Sequence, residues 1–177
     1  AGLERFIDVI AQTGCATGEM YTENTRRYFD KHALPGVSDF VRYVNDKVYR
    51  HMSFVTTLGT DVAAKVAEHR WSCKDSVGNP LICNEFDYGE RKKGTIRHLY
   101  PLMKNGERRL GKTDDMLREH GLSIEQCLVV GNDTNDLPMV KAAKLSAASP
   151  LADEATIEVA NIHIQDYRTF LEELKAA

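Results

Sequence analysis

The chain has 177 residues, 42% hydrophobic and 28% charged, with a formal net charge of −3 and a pI near 6.1. This supplies enough apolar material for one compact core with a small appended lobe. The balance gives no general pull toward nucleic acid or an anionic membrane, and no apolar stretch approaches the roughly 20 residues of a membrane helix.

Leu3, Phe6, Ile7 and Ile10 recur at helical spacing and predict a helix over residues 2–12. A second helix is expected from Glu23 to His32, stopped by Leu34-Pro35-Gly36. Val37, Phe40, Val41, Val44 and Val48 mark one helical face. The β-branched and aromatic run His51–Thr57 then reads as a strand, and Asp61 can cap the helix after it. Leu81–Phe86 and Thr95–Tyr100 read as two strands of a hairpin joined by the polar stretch 87–94. Arg91-Lys92-Lys93 with Arg97 and His98 is its basic patch, which reads as a solvated hairpin.

Beyond Gly111 a helix is expected over Lys112–His120, stopped by Gly121. Cys127-Leu128-Val129-Val130 is a continuous apolar run, the pattern of a strand buried on both faces of a parallel sheet. It breaks at Gly131, and Pro138 opens another helix. Leu145–Ala148, Ile162–Ile164 and a helix from Asp166 complete the chain. Strands alternating with helices imply an α/β, doubly wound parallel sheet, here with a small helical cap. The expected division is a cap segment over 1–34 and a core over 35–177. Ligands of such sheets sit beyond the carboxyl ends of the strands, after 51–57 and 126–130.

The four cysteines, Cys15, Cys73, Cys83 and Cys127, form no Cys-x-x-Cys pair, and no histidine stands at zinc-finger spacing. With no recognisable secretory leader, the expected location is the cytoplasm. No Gly-x-Ser-x-Gly or Gly-x-Gly-x-x-Gly motif is present, so serine-hydrolase and dinucleotide chemistry have no support.

The sharpest chemical signal is Gly131-Asn132-Asp133-Thr134-Asn135-Asp136, where a strand delivers a glycine turn and then two carboxylates and two carboxamides. Mg²⁺ prefers oxygen donors, with one or two carboxylates, waters and a phosphate. The bland alternative is a polar loop of Asx-turns that caps the following helix.

This stretch, with its helix and methionine (Met139), resembles the fourth motif of haloacid-dehalogenase (HAD) superfamily phosphohydrolases, and phosphoserine phosphatases above all. The resemblance runs from Gly111 to Leu174, with Asn135 and Asp136 keeping the family residues and Ser149-Pro150-Leu151 through Ala155 similar to the loop that follows. Upstream, Leu34-Pro35-Gly36-Val37 and Phe54-Val55-Thr56-Thr57 are similar to the approach to the second motif. The resemblance implies Mg²⁺-dependent hydrolysis of a small phosphorylated metabolite through an aspartyl-phosphate. It assigns Thr56 to a phosphoryl oxygen, with Thr57 and Gly131 beside the substrate. Lys112 becomes the charge-balancing third-motif lysine, and Asn132, Asp133 and Asp136 the metal residues.

Two departures stand out. Asn132 occupies the usual place of a metal-binding aspartate. The first motif, Asp-x-Asp, which supplies the nucleophile, is not found. Asp8 is the nearest candidate, but Ile10 stands where the second aspartate belongs, and the spacing around it is helical. The chain is therefore expected to begin inside the cap, with a preceding segment completing the sheet. A non-catalytic, HAD-like binding or regulatory protein is the alternative that both departures favour. A third reading comes from Gly106–Thr113, which satisfies the Gly-x4-Gly-Lys-Thr pattern of NTPase phosphate loops. The inserted Glu107, Arg108, Arg109 and Leu110 are bulky for an amide cradle.

Overall fold

The computed structural model describes residues 27, 31–44 and 106–176, together with the strand backbones 85–87 and 98–100. The expected helix over 2–12 with Asp8, the strand ending in Thr56 and Thr57, and the basic stretch 91–97 lie outside the described residues. So do Cys15, Cys73 and Cys83. The chain divides into two compact units, Ala1–Ala33 with His51–Leu102, and Leu34–Arg50 with Met103–Ala177.

In the first unit, β1 (Glu85–Asp87) and β2 (His98–Tyr100) pair antiparallel, with Phe86 opposite Leu99 and Asp87 opposite His98. The hairpin expected from the two apolar runs is present in these residues. Its first strand extends to Asp87, one residue further than the sequence pattern reached.

The second unit holds α1 (Val37–Tyr43), α2 (Gly106–Glu119), β3 (Leu128–Gly131), α3 (Leu137–Ala142), β4 (Leu145–Ala148), α4 (Glu154–Val159), β5 (Ile162–His163) and α5 (Tyr167–Ala176). Its sheet is parallel, in the order β3-β4-β5. Leu128 pairs with Leu145 and Gly131 with Ala148, while Ala147 pairs with Ile162. The fold class is α/β, as the alternation implied. β4 is central in this sheet and carries Ser146, Ala147 and Ala148, all buried. Leu128, Val129 and Val130 of β3 are only half-buried, short of the burial on both faces that the apolar run suggested. Among the described residues β3 is hydrogen-bonded to a strand, β4, along one edge alone.

α2 starts at Gly106, six residues before the expected Lys112, and buries Gly106, Arg109, Thr113 and Leu117 at helical spacing. It ends at Gly121 (φ +68°), where the Leu122 N–H donates to the Leu117 carbonyl at 2.8 Å and the Gly121 N–H to Arg118 at 3.0 Å. That double bond pattern is a Schellman stop, and its left-handed residue favours glycine. Because residues 106–113 are the first turns of a helix, the phosphate loop that their pattern suggested does not form. Past the first turn, the amide N–H groups are committed along the helix axis and cannot wrap a phosphate. The structure removes the support for the NTPase reading.

α1 packs on α5 through Phe40, Val41, Tyr167, Phe170 and Leu171, all buried. The Phe40 ring lies 5.2 Å from Tyr167 and 5.6 Å from Phe170, tilted at both contacts. Gly36 enters α1 at φ +80°, and a Cβ there would sit 2.6 Å from Cγ of Arg168. The turn needs glycine for both conformation and clearance. Among the described residues, no helix is long and apolar enough to cross a membrane.

Candidate functional site

The loop Gly131–Asp136 leaves the carboxyl end of β3, the position at which parallel sheets hold ligands. Gly131 is required by close packing, since a Cβ would lie 2.8 Å from Cγ2 of Val140 and 2.9 Å from Cβ of Asp136. The loop is tied to the turn after β4. The Ser149 N–H donates to the Gly131 carbonyl at 2.9 Å, and the Asp153 N–H to Asn132 at 3.0 Å. Asp153 in turn caps α4, accepting the Thr156 N–H at 2.8 Å.

Within the loop, Asp133 Oδ1 accepts the Asn135 N–H at 2.8 Å, an Asx-turn, and its carbonyl accepts the Asp136 N–H at 2.8 Å. Asp136 is buried, and its Oδ2 accepts the Asn132 N–H at 2.8 Å. Its Oδ1 accepts from Nη1 of Arg109, an ion pair whose side chains are 4% and 7% exposed. Burial pulls the Arg109 guanidinium below its ordinary pKa, and the negative charge of Asp133 works the other way. Arginine stays protonated regardless, so the pair is ionic. Nε of Arg109 is buried and has no hydrogen-bond partner.

The structure thus brings Asn132, Asp133 and Asp136 together on one loop, with Gly131 at its base. Lys112 is exposed on α2, and the cation that meets the loop is Arg109, one turn earlier. Thr113, next to Lys112, is buried and donates from Oγ1 to the Arg109 carbonyl at 2.9 Å. Thr56 and Thr57 lie outside the described residues. In the sequence Arg109 stands inside the Gly-x4-Gly-Lys-Thr pattern, which masks its place on a helix. A helix drawn from Gly106 would have placed it on the same face as Thr113 and Leu117.

By themselves the three loop residues do not make up a complete ligand set for Mg²⁺. Both oxygens of Asp136 are engaged within the protein, position 132 offers a neutral carboxamide, and Asp133 already uses one oxygen in its turn. Among the described residues, no group of three or more His, Cys, Asp or Glu side chains could hold a metal ion.

Comparison with solved structures identifies the fold. The chain is similar to a HAD family hydrolase from Salmonella enterica serovar Typhi, with TM-score 0.76 and 15% identity, over 97% of this chain and 55% of that one. It therefore spans little more than half the length of that protein. It is also similar to a substrate-bound phosphoserine phosphatase (TM-score 0.65, 16% identity) over 97% of this chain and 86% of that one. A phospho-aspartyl intermediate analogue of phosphoserine phosphatase gives TM-score 0.61 at 16% identity, with the same coverage of both chains. No family model and no curated protein matches the sequence. The chain has a HAD-like fold.

Proposed function

We propose that this chain is the core of a HAD-type phosphohydrolase that cleaves a small phosphomonoester. The observation that carries the reading is the Gly131–Asp136 loop at the carboxyl end of a parallel strand, in a chain whose fold matches HAD structures over 97% of its length. In this reading an aspartate outside the described residues attacks phosphorus, and water then cleaves the aspartyl-phosphate. Thr56 orients the phosphoryl group beside Thr57 and Gly131, and Lys112, exposed on α2, is the charge-balancing lysine that the resemblance assigns. Mg²⁺ is the cofactor that the family resemblance implies. The described residues alone do not make up a complete ligand set for it.

The test is phosphate release by the complete gene product from a panel of phosphomonoesters that includes phosphoserine. Release that falls at least about tenfold in Thr56→Val supports the reading, as expected for loss of a group that orients the transferred phosphoryl. No release from any panel member would sink it.

The non-catalytic reading stays in view because Asn132 is neutral and Asp136 is neutralised within the fold. Phosphomonoester binding without turnover by the complete protein would select it.

A further inference from the structure

We propose that Arg109 is the resident counter-cation of Asp136, withdrawing that carboxylate from any divalent-metal ligand set and making it the brace for the Asn132 amide. The inference depends on the phosphohydrolase reading only for the choice of a divalent cation as the competing ligand.

Three observations carry it. Asp136 has both oxygens engaged, Oδ1 by Nη1 of Arg109 and Oδ2 by the Asn132 N–H at 2.8 Å. The paired side chains are only 4% and 7% exposed, which leaves a hydrated ion no path to their shared edge. The guanidinium is also anchored by its helix. Gly106 abuts the Asn135 carbonyl and the Pro138 ring, and Thr113 Oγ1 lies 3.4 Å from Met139 Sδ. A metal ion and a guanidinium cannot share one carboxylate edge without like-charge repulsion in a medium that screens little.

Two consequences follow. The loop's candidate donors reduce to Asn132 and Asp133. Arg109 and Asp136 act through the Asn132 N–H on where those donors point, so both are positioning residues rather than catalytic ones.

The probe is Mn²⁺, followed by its electron paramagnetic resonance signal with the full chain. Asp136→Asn keeps the side-chain shape and an acceptor oxygen, and is expected to bind Mn²⁺ within about twofold of the parent. Asp133→Asn is expected to weaken binding by about tenfold or more. Arg109→Ala opens space beside an uncompensated carboxylate. It should melt below the parent without metal and recover in millimolar Mn²⁺, because an ion that binds the native state stabilises it. Arg109→Ala/Asp136→Asn should show no such recovery.

A merely structural Arg109 would give no metal-dependent recovery, and that result overturns the proposal. A loss of Mn²⁺ affinity of about tenfold or more in Asp136→Asn overturns it equally. If Arg109→Ala cannot be purified folded, refolding yield with and without Mn²⁺ makes the same comparison. Should the parent bind no Mn²⁺, the metal site of the phosphohydrolase reading fails, while recovery of Arg109→Ala still decides this proposal.

Discussion

Arg109 and Asp136, 27 positions apart in sequence, form a buried ion pair that joins the second helix to the loop after the third strand. Its geometry makes it costly to break from one side. Arg109→Leu leaves a buried carboxylate without its cation, an effect of about 3–5 kcal/mol. Urea denaturation should show that loss. Arg109→Leu/Asp136→Asn should lose less than Arg109→Leu alone, since the carboxamide carries no charge and still accepts the Asn132 N–H. Equal losses in the two proteins would mean that packing, not charge, dominates at this contact.

Two glycines of α2 are expected to respond oppositely to alanine. At Gly106 a Cβ would lie 2.7 Å from the Asn135 carbonyl oxygen and 2.8 Å from the Pro138 ring. Backbone and a rigid ring cannot yield cheaply, so Gly106→Ala should destabilise by about 1–3 kcal/mol. Gly111 is an exposed helical residue with nothing within 4 Å of its Cβ position. Gly111→Ala should stabilise by about 0.5–1 kcal/mol. Thermal melts of both variants check the helix directly, because a true phosphate loop at 106–113 would be harmed by both changes.

Much of the second unit was legible because its signals are local. Leu145–Ala148 coincides with the expected strand. Pro138 lies in the first turn of α3, and Gly121 ends α2, as their backbone preferences require. The start of α2 was not legible. Gly106 and Gly111 interrupt the helical pattern, and Arg109 counts as polar in any apolar periodicity although it is buried. Its burial depends on a partner 27 residues away, which no local window contains. The state of Asp136 was hidden for a related reason. Residue type placed Asp136 among the ligands, whereas its hydrogen bonds, which sequence does not show, engage both of its oxygens.

Cys127 is half-buried, and its Sγ lies 3.5 Å from the Ser123 carbonyl. Burial, reinforced by the charge of Asp114, pushes its thiol above the ordinary range. Less thiolate forms at pH 8 than in a free cysteine, so native-state alkylation at this position should be slow. Asp114→Asn removes the repulsive charge and should accelerate it. The sign for stability follows from proton binding. Above the unfolded thiol's pKa the folded state holds the extra proton, so stability declines as pH rises through the folded value. Mass-mapped iodoacetamide labelling at Cys127 is the measurement, and an unchanged rate in Asp114→Asn would remove that charge as a cause.

The neutral residue at position 132 gives the last prediction. Asn132 sits exposed at the mouth of the loop, its backbone held at both ends by the Asp136 carboxylate and the Asp153 N–H. Changing its side chain should therefore alter charge without moving the backbone. Asn132→Asp places a second anionic oxygen donor beside Asp133, where Mg²⁺ prefers carboxylate over carboxamide. Mg²⁺ affinity measured by calorimetry should tighten by about 1–3 kcal/mol, the range for charge-assisted contacts. Repulsion from Asp133 and Asp136 opposes the new charge when no metal is bound, so the metal-free variant should melt below the parent and the gap should close as Mg²⁺ is added. Arg109 already neutralises Asp136, which confines that repulsion mainly to Asp133. An Asn132→Asp variant that melts lower at every Mg²⁺ concentration, with no gain in affinity, would show that the loop side chains do not converge on a cation. The residues after β3 would then be turn formers alone.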